Sequence, residues 1–171
     1  MKPLSYLKID EYFQDIAAKH VDINDYCGTS VNELVNKLAS HASVGSPMLI
    51  LFNIQNKLMG NQQRTMNNRT ISFSIVFTGV DPNDYAAQKQ AIDDAEYIGL
   101  QMIARINIDS KGKKVDWLYN NFDPNTVHFN ELEAEEAEGL FGMEFHFDLK
   151  NTEPLLVDPA KWSDGADYCT G

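Results

Sequence analysis

The chain has little of what marks the readily assigned protein classes. Its 171 residues include only two cysteines, Cys27 and Cys169, far apart and in no CxxC pair. Two such thiols are expected to be free, and they exclude a disulfide-stapled scaffold or a zinc finger, which need more ligands at short spacing. No apolar run approaches the roughly 18 residues that a membrane-spanning helix needs. The opening Met1-Lys-Pro-Leu-Ser-Tyr6 has no apolar signal core. We therefore expect a protein used in the cytoplasm, or in a particle assembled there, with no membrane partner. The nucleotide loops (GxxxxGK[ST], GxGxxG), the GxSxG elbow and the HExxH zinc motif are all missing.

Basic residues are scarce in one half. From Phe122 to Gly171 there are twelve acidic residues, opposed only by Lys150 and Lys161, so that half carries −10 of the chain's −11 and leaves −1 for residues 1–121. Such a half disfavours sequence-reading contact with nucleic acid, which needs Lys and Arg against phosphates. It suits a solvated face, or a surface past which DNA slides without sticking.

What is present is enough for one folded domain. The content is 43% hydrophobic and 11% aromatic, as in a globular protein with a real core. The organising stretch runs from Thr70 to Ile108. Ile71, Phe73, Ile75 and Phe77 alternate with Ser72, Ser74, Val76 and Thr78, which predicts a half-buried antiparallel strand. Asp81-Pro-Asn-Asp84 turns the chain, with Asn83 or Asp84 as cap, into a helix reaching about Asn107. Its stripe is Tyr85, Gln88, Ile92, Ala95, Gly99, Met102 and Ile106, widened by Ala91, Ile98 and Ile103. Gly99 inside a helix costs roughly 1 kcal/mol relative to Ala, so a close approach to a strand is expected there.

Upstream, residues 5–19 read as an amphipathic helix capped by Ser5, and residues 30–41 as a second helix with a Ser30/Glu33 capping box. Met48-Leu-Ile-Leu-Phe52 reads as a strand covered on both faces. Residues 56–68 are rich in Asn and Gln and are expected to form a long hairpin arm between two strands. Downstream, residues 115–122 are ambiguous between helix and strand. Residues 126–129 read as a short strand and 131–138 as an exposed Glu/Ala connection. Phe141, Met143, Phe145, Phe147 and Leu149 alternate with polar residues as the clearest strand. Residues 151–171 read as an irregular tail, pinned by Leu155, Leu156 and Trp162. The sum is a single α+β domain over 1–150, with a mostly antiparallel sheet of about four strands, helices packed on it, and a long β-hairpin arm.

Catalytic chemistry has thin support. None of the four histidines, His20, His41, His128 and His146, pairs with another at helical ligand spacing. A metal or acid–base site could be drawn only from Glu144, His146 and Asp148 on one strand face, joined by His128 if the last two strands form a hairpin. Cys27-Gly28 has no base in sight to make it a nucleophile. The Glu133–Glu138 run reads as a linker. We therefore expect no enzyme, no cofactor and no metal.

With the pattern complete, the chain resembles the tail-terminator or neck (head–tail joining) proteins of tailed phages and prophages, including those of Bacteroidetes-type elements. The residues that carry the resemblance are the opening helix with Ala17-Ala-Lys-His20 and Ile23, followed by the strand at Pro47–Phe52. To these are added the strand Ile71–Phe77 leading through Asp81-Pro-Asn-Asp84 into the helix with Ala95-Glu96 and Ile98-Gly99, and the closing Gly139–Phe147. The resemblance implies a non-enzymatic virion subunit in an α+β fold, forming a homo-oligomeric ring, commonly a hexamer, at the tube end. Its partners would be further copies of itself, the tail tube and the neck or connector proteins, with DNA passing unread. Within that reading the arm contributes Lys57, Leu58, Met59, Gln62, Gln63, Arg64 and Met66 to subunit contacts. Glu131, Glu133, Glu135, Glu136 and Glu138 belong to an acidic lumen or outer surface. The competing expectation is a non-catalytic small-ligand or protein-binding module of bacterial or mobile-element origin, motivated by the aromatics from Trp117 to Phe147.

Overall fold

A computed structural model describes residues 4–29, 33, 36–37, 45–61, 64–132, 140–153, 155 and 157–163. The elements are α1 (Tyr6–Lys19), β1 (Asp25–Cys27), β2 (Met48–Leu51), β3 (Gln55–Asn61), β4 (Arg64–Thr78), α2 (Tyr85–Lys111), β5 (His128–Glu131) and β6 (Leu140–Thr152). Two short 3-10 turns lie at Pro124–Thr126 and Pro159–Lys161. The expected second helix falls mostly outside the described residues; Glu33, Asn36 and Lys37 within it are helical.

The fold is α+β, with a mostly antiparallel sheet. Among the described residues it has six strands rather than about four, in the order β1-β2-β4-β6-β5, with β3 also on β4. Among the described strands only β1 and β2 run parallel. The count is higher because the outgoing strand of the predicted hairpin arm is a separate strand, β3, and because Asp25–Cys27, too short to show a pattern, adds an edge.

β2 and β3 lie in succession along the same side of β4. Leu51 pairs with Phe73 and Gln55 with Thr70, so three residues on one strand face two on the other. That one-residue excess is a β-bulge, which bends and twists the strand that carries it. It divides the sheet body from the ribbon beyond.

The core lies on one face, under α1 and α2. Ser5 caps α1 and buries Ile9, Phe13, Ile16 and Ala17. Asp84 caps α2 by accepting from the amides of Ala86 and Ala87. At 27 residues α2 is about 40 Å long. Its buried stripe starts only at Ala91, and Tyr85, at the head of the expected stripe, is 72% exposed. On the sheet, Phe73, Phe145 and Phe129 stand side by side on β4, β6 and β5, with adjacent ring centroids 5.1 Å apart. Phe13 and Phe147 close round them.

Gly99 sits directly on this ladder. A Cβ there would collide with the Phe145 ring, so the helix axis can come this close only without a side chain at position 99. Polar ties complete the clamp: Tyr12 donates to Asp109 Oδ2 at 3.0 Å, and Tyr26 to Asp10 Oδ1 at 2.7 Å. Burial, reinforced by these carboxylates, holds both phenols well above their ordinary range.

The opposite face differs from expectation. Ser74 and Val76 are also buried, with Cys27, Met48 and Ile50, so β4 is half-buried only towards its two ends. Residues 115–122 are neither helix nor strand but a series of turns, with Leu118 and Phe122 buried in the core and Phe122 bridged to Leu149. Leu155 and Trp162 are 65% and 57% exposed and do not pin the tail; Leu156 lies outside the described residues.

Gly99→Ala tests the clamp. Helix propensity alone favours Ala by about 1 kcal/mol, whereas overpacking a filled core costs about 1–3 kcal/mol. The Phe145 ring has Phe73 on one side and Phe129 on the other, so the second term wins. The expected result is a net loss of about 1–2 kcal/mol and a lower thermal midpoint, partly restored by adding Phe145→Leu. An unchanged or raised midpoint would mean that the ring moves freely aside.

Candidate functional site

The feature that stands apart from the core is the β3–β4 ribbon. β3 pairs with β4 from Gln55↔Thr70 out to Asn61↔Arg64. The expected β-hairpin arm is thus present as a paired ribbon. Its inner part is shared, since β6 flanks β4 from Thr78↔Leu140 to Met66↔Thr152, and Glu153 N donates to Thr65 O at 2.9 Å. β6 thus follows β4 as far as the Met59↔Met66 pair, and among the described residues only Gly60, Asn61 and Arg64 beyond it run on without a third strand.

A knot of polar side chains fixes the ribbon's root. Alternation puts Asn67, Arg69, Leu149 and Asn151 on the core side of the sheet. Core packing ends at Leu149, and beyond it Arg69 takes over as the linking group. It donates to Asn56 Oδ1 at 2.7 Å, to Asn151 Oδ1 at 3.4 Å and to the Leu4 carbonyl at 3.5 Å. It also pairs with Glu153 at 3.5 Å, with only 11% of its side chain exposed. Burial lowers the Arg69 pKa from its ordinary value, and the Glu153 charge opposes that shift. A planar, multidentate donor can hold four partners on three segments, which a lysine cannot.

The tip carries apolar side chains in solvent. Leu58 is 52% exposed, Met59 51% and Met66 43%. Met59 and Met66 are directly opposite, on the same face as Lys57, while Leu58 points to the other face. Gln62 and Gln63 lie outside the described residues; Arg64 opens β4 opposite Asn61. No acidic residue occurs from 55 to 70, where Lys57, Arg64 and Arg69 do, so the ribbon is a basic segment in an acidic chain.

The polar face of β6 does bring together the residues singled out as candidate ligands. His128 and His146 are cross-strand partners with rings stacked 4.8 Å apart. His146 Nδ1 lies 2.7 Å from Ser72 Oγ, and its Nε2 lies 3.5 Å from Glu144. Asp148, however, is fully engaged: Thr70 Oγ1 and Asn68 Nδ2 donate to its two oxygens at 2.8 and 2.9 Å. Among the described residues no three His, Cys, Asp or Glu are arranged to hold a metal ion. The array ties β4, β5 and β6 together.

Cys27 is buried, and burial, then the Glu33 charge, pushes its thiol up to about 11. A thiol so disposed is a poor nucleophile at neutral pH. Of the acidic set, Glu131 ends β5 exposed, and Glu133, Glu135, Glu136 and Glu138 lie outside the described residues.

One cavity escaped the sequence reading. An open groove of about 470 Å³ lies between the α1–β1 turn and the middle of α2, and among its lining residues are Val21, Asp22, Phe77, Asp94, Tyr97 and Ile98. Its residues come from four separated segments, so no local spacing marks it. The sole hint was Tyr97, a large aromatic off the predicted stripe.

Arg69→Lys should cost about 1–3 kcal/mol, because several buried acceptors lose their donor. Urea unfolding would read this, with residues 55–61 gaining the most hydrogen exchange. An unchanged midpoint would show that the knot is ornamental.

The chain matches no family model and no curated protein at significance.

Proposed function

We propose that this chain is a non-catalytic structural subunit of a tailed-phage tail or neck, of the tail-terminator or tail-completion type, which assembles as a ring through the β3–β4 ribbon. The observation that carries the reading is the ribbon itself: an ordered extension, knotted at its root by Arg69, whose tip holds Leu58, Met59 and Met66 half in water. Half-exposed apolar side chains on a pre-ordered element bind at low entropic cost, since little remains to be ordered on docking. The outer edge of β3, with no partner strand among the described residues, adds a second means of association.

The rest of the fold suits a load-bearing subunit. A sheet with helices packed on one face matches what the resemblance implies. The acidic carboxyl-terminal half, with twelve carboxylates against two lysines, suits a surface that DNA passes without binding. The ring's partners on this reading are further copies of the chain, the tail tube and the neck or connector proteins.

The test is the mass of the purified chain by light scattering over a wide concentration range, with imaging of any rings. The wild type should form a closed oligomer. Leu58→Ser with Met59→Ser should raise the concentration at half-assembly at least tenfold while leaving circular dichroism and the thermal midpoint unchanged. A strict monomer at every concentration that never enters a particle contradicts the reading.

A further inference from the structure

The ribbon tip and the groove are complementary, and they lie at opposite ends of the same strand. Met66 stands near the start of β4, and Phe77, which lines the groove, near its end. Eleven residues of strand separate them, or roughly 36 Å at about 3.3 Å per residue. The ribbon is a paired extension of the sheet and cannot fold back over that distance, so the tip of one molecule can enter only the groove of another.

The chemistry of the two surfaces matches. The tip offers two thioethers and the Lys57 ammonium on one face. The groove offers an apolar floor of Phe77 and Ile98 with two carboxylates, Asp22 and Asp94, among its lining residues, and the exposed Val21 and Tyr97 at its lip. Methionine packs favourably against aromatic rings, and an ammonium between carboxylates gains most where water is thinned out. At about 470 Å³ the groove is within the range that holds a few side chains or a small ligand.

We propose that the groove receives the β3–β4 ribbon tip of a second copy of this chain, with Met59 and Met66 against Phe77 and Tyr97 and Lys57 between Asp22 and Asp94. The inference rests on the ring reading and adds the receptor and the sense of the contact. Donor and acceptor surfaces differ, so the contact is heterologous, head to tail. Repetition of such a contact generates a closed ring when the rotation between copies divides the circle, and an open filament when it does not.

Disulfide trapping between two variants of the full chain tests it, in a Cys169→Ser background where the buried Cys27 is the remaining thiol. One variant carries Met59→Cys, the other Tyr97→Cys. Mixed at assembling concentration under mild oxidation, they should give a cross-linked dimer containing one of each, at least tenfold more than either variant gives alone. Asp94→Lys should weaken assembly of the otherwise wild-type chain at least tenfold, and Lys57→Glu mixed with Asp94→Lys should recover part of it. Circular dichroism of each variant confirms folding. Cross-linking of Met59→Cys with itself would show an arm-to-arm contact and overturn the docking. A wild type that assembles normally without the mixed cross-link, with Asp94→Lys having no effect, would overturn the docking but leave the ring reading standing. A wild type that stays monomeric at every concentration would remove both.

Discussion

The structure depends on the contact between Gly99 and Phe145. Phe145 is the middle ring of three that cross β4, β6 and β5, and α2 lies on it at the one position where it carries no side chain. The approach sets the distance between helix and sheet. Burial of Ala95, Ile98, Met102 and Ile106 follows from it, and Phe13 of α1 packs into the same aromatic group. Glycine is a poor helix residue; its cost is offset by a contact that no other residue allows.

That clamp also makes the ribbon a rigid element. β4 is long enough to serve two purposes: its second half is the centre of the core, and its first half is the spine of the arm. The bulge between Leu51 and Gln55 marks the change on one side, and the handover from Leu149 to Asn151 marks it on the other. At the change, hydrophobic packing gives way to the Arg69 knot. A ribbon fixed in this way presents Met59 and Met66 at a defined position relative to the groove at the far end of β4. Defined spacing between two complementary surfaces is what repeated assembly requires.

The elements with strong periodicity were legible in the sequence: α1 with its Ser5 cap, α2 with Asp84, the two long alternating strands and the close approach at Gly99. The arm was legible as an Asn/Gln-rich β-hairpin between strands, though its register and the β6 strand beside its inner part were not, because its residues have low strand propensity and carry no alternation. β1 was missed because three residues carry no period. The burial of Ser74 was missed because alternation predicts a polar face without saying what lies over it. The His128–His146 pairing was foreseen on condition of a hairpin, and the hairpin formed. The Arg69 knot and the groove were not legible, since each gathers residues far apart in the chain, and long-range convergence leaves no local pattern.

The central claim is that the ribbon is an assembly arm, and hydrogen exchange measured at low and high protein concentration tests it most directly. Amides of residues 55–61 on the outer edge of β3 have no partner strand among the described residues. The account predicts that peptides covering 55–61, and those lining the groove around 94–98, gain protection together as concentration rises, while the core strands stay as they are. Exchange that is independent of concentration in both regions would contradict it.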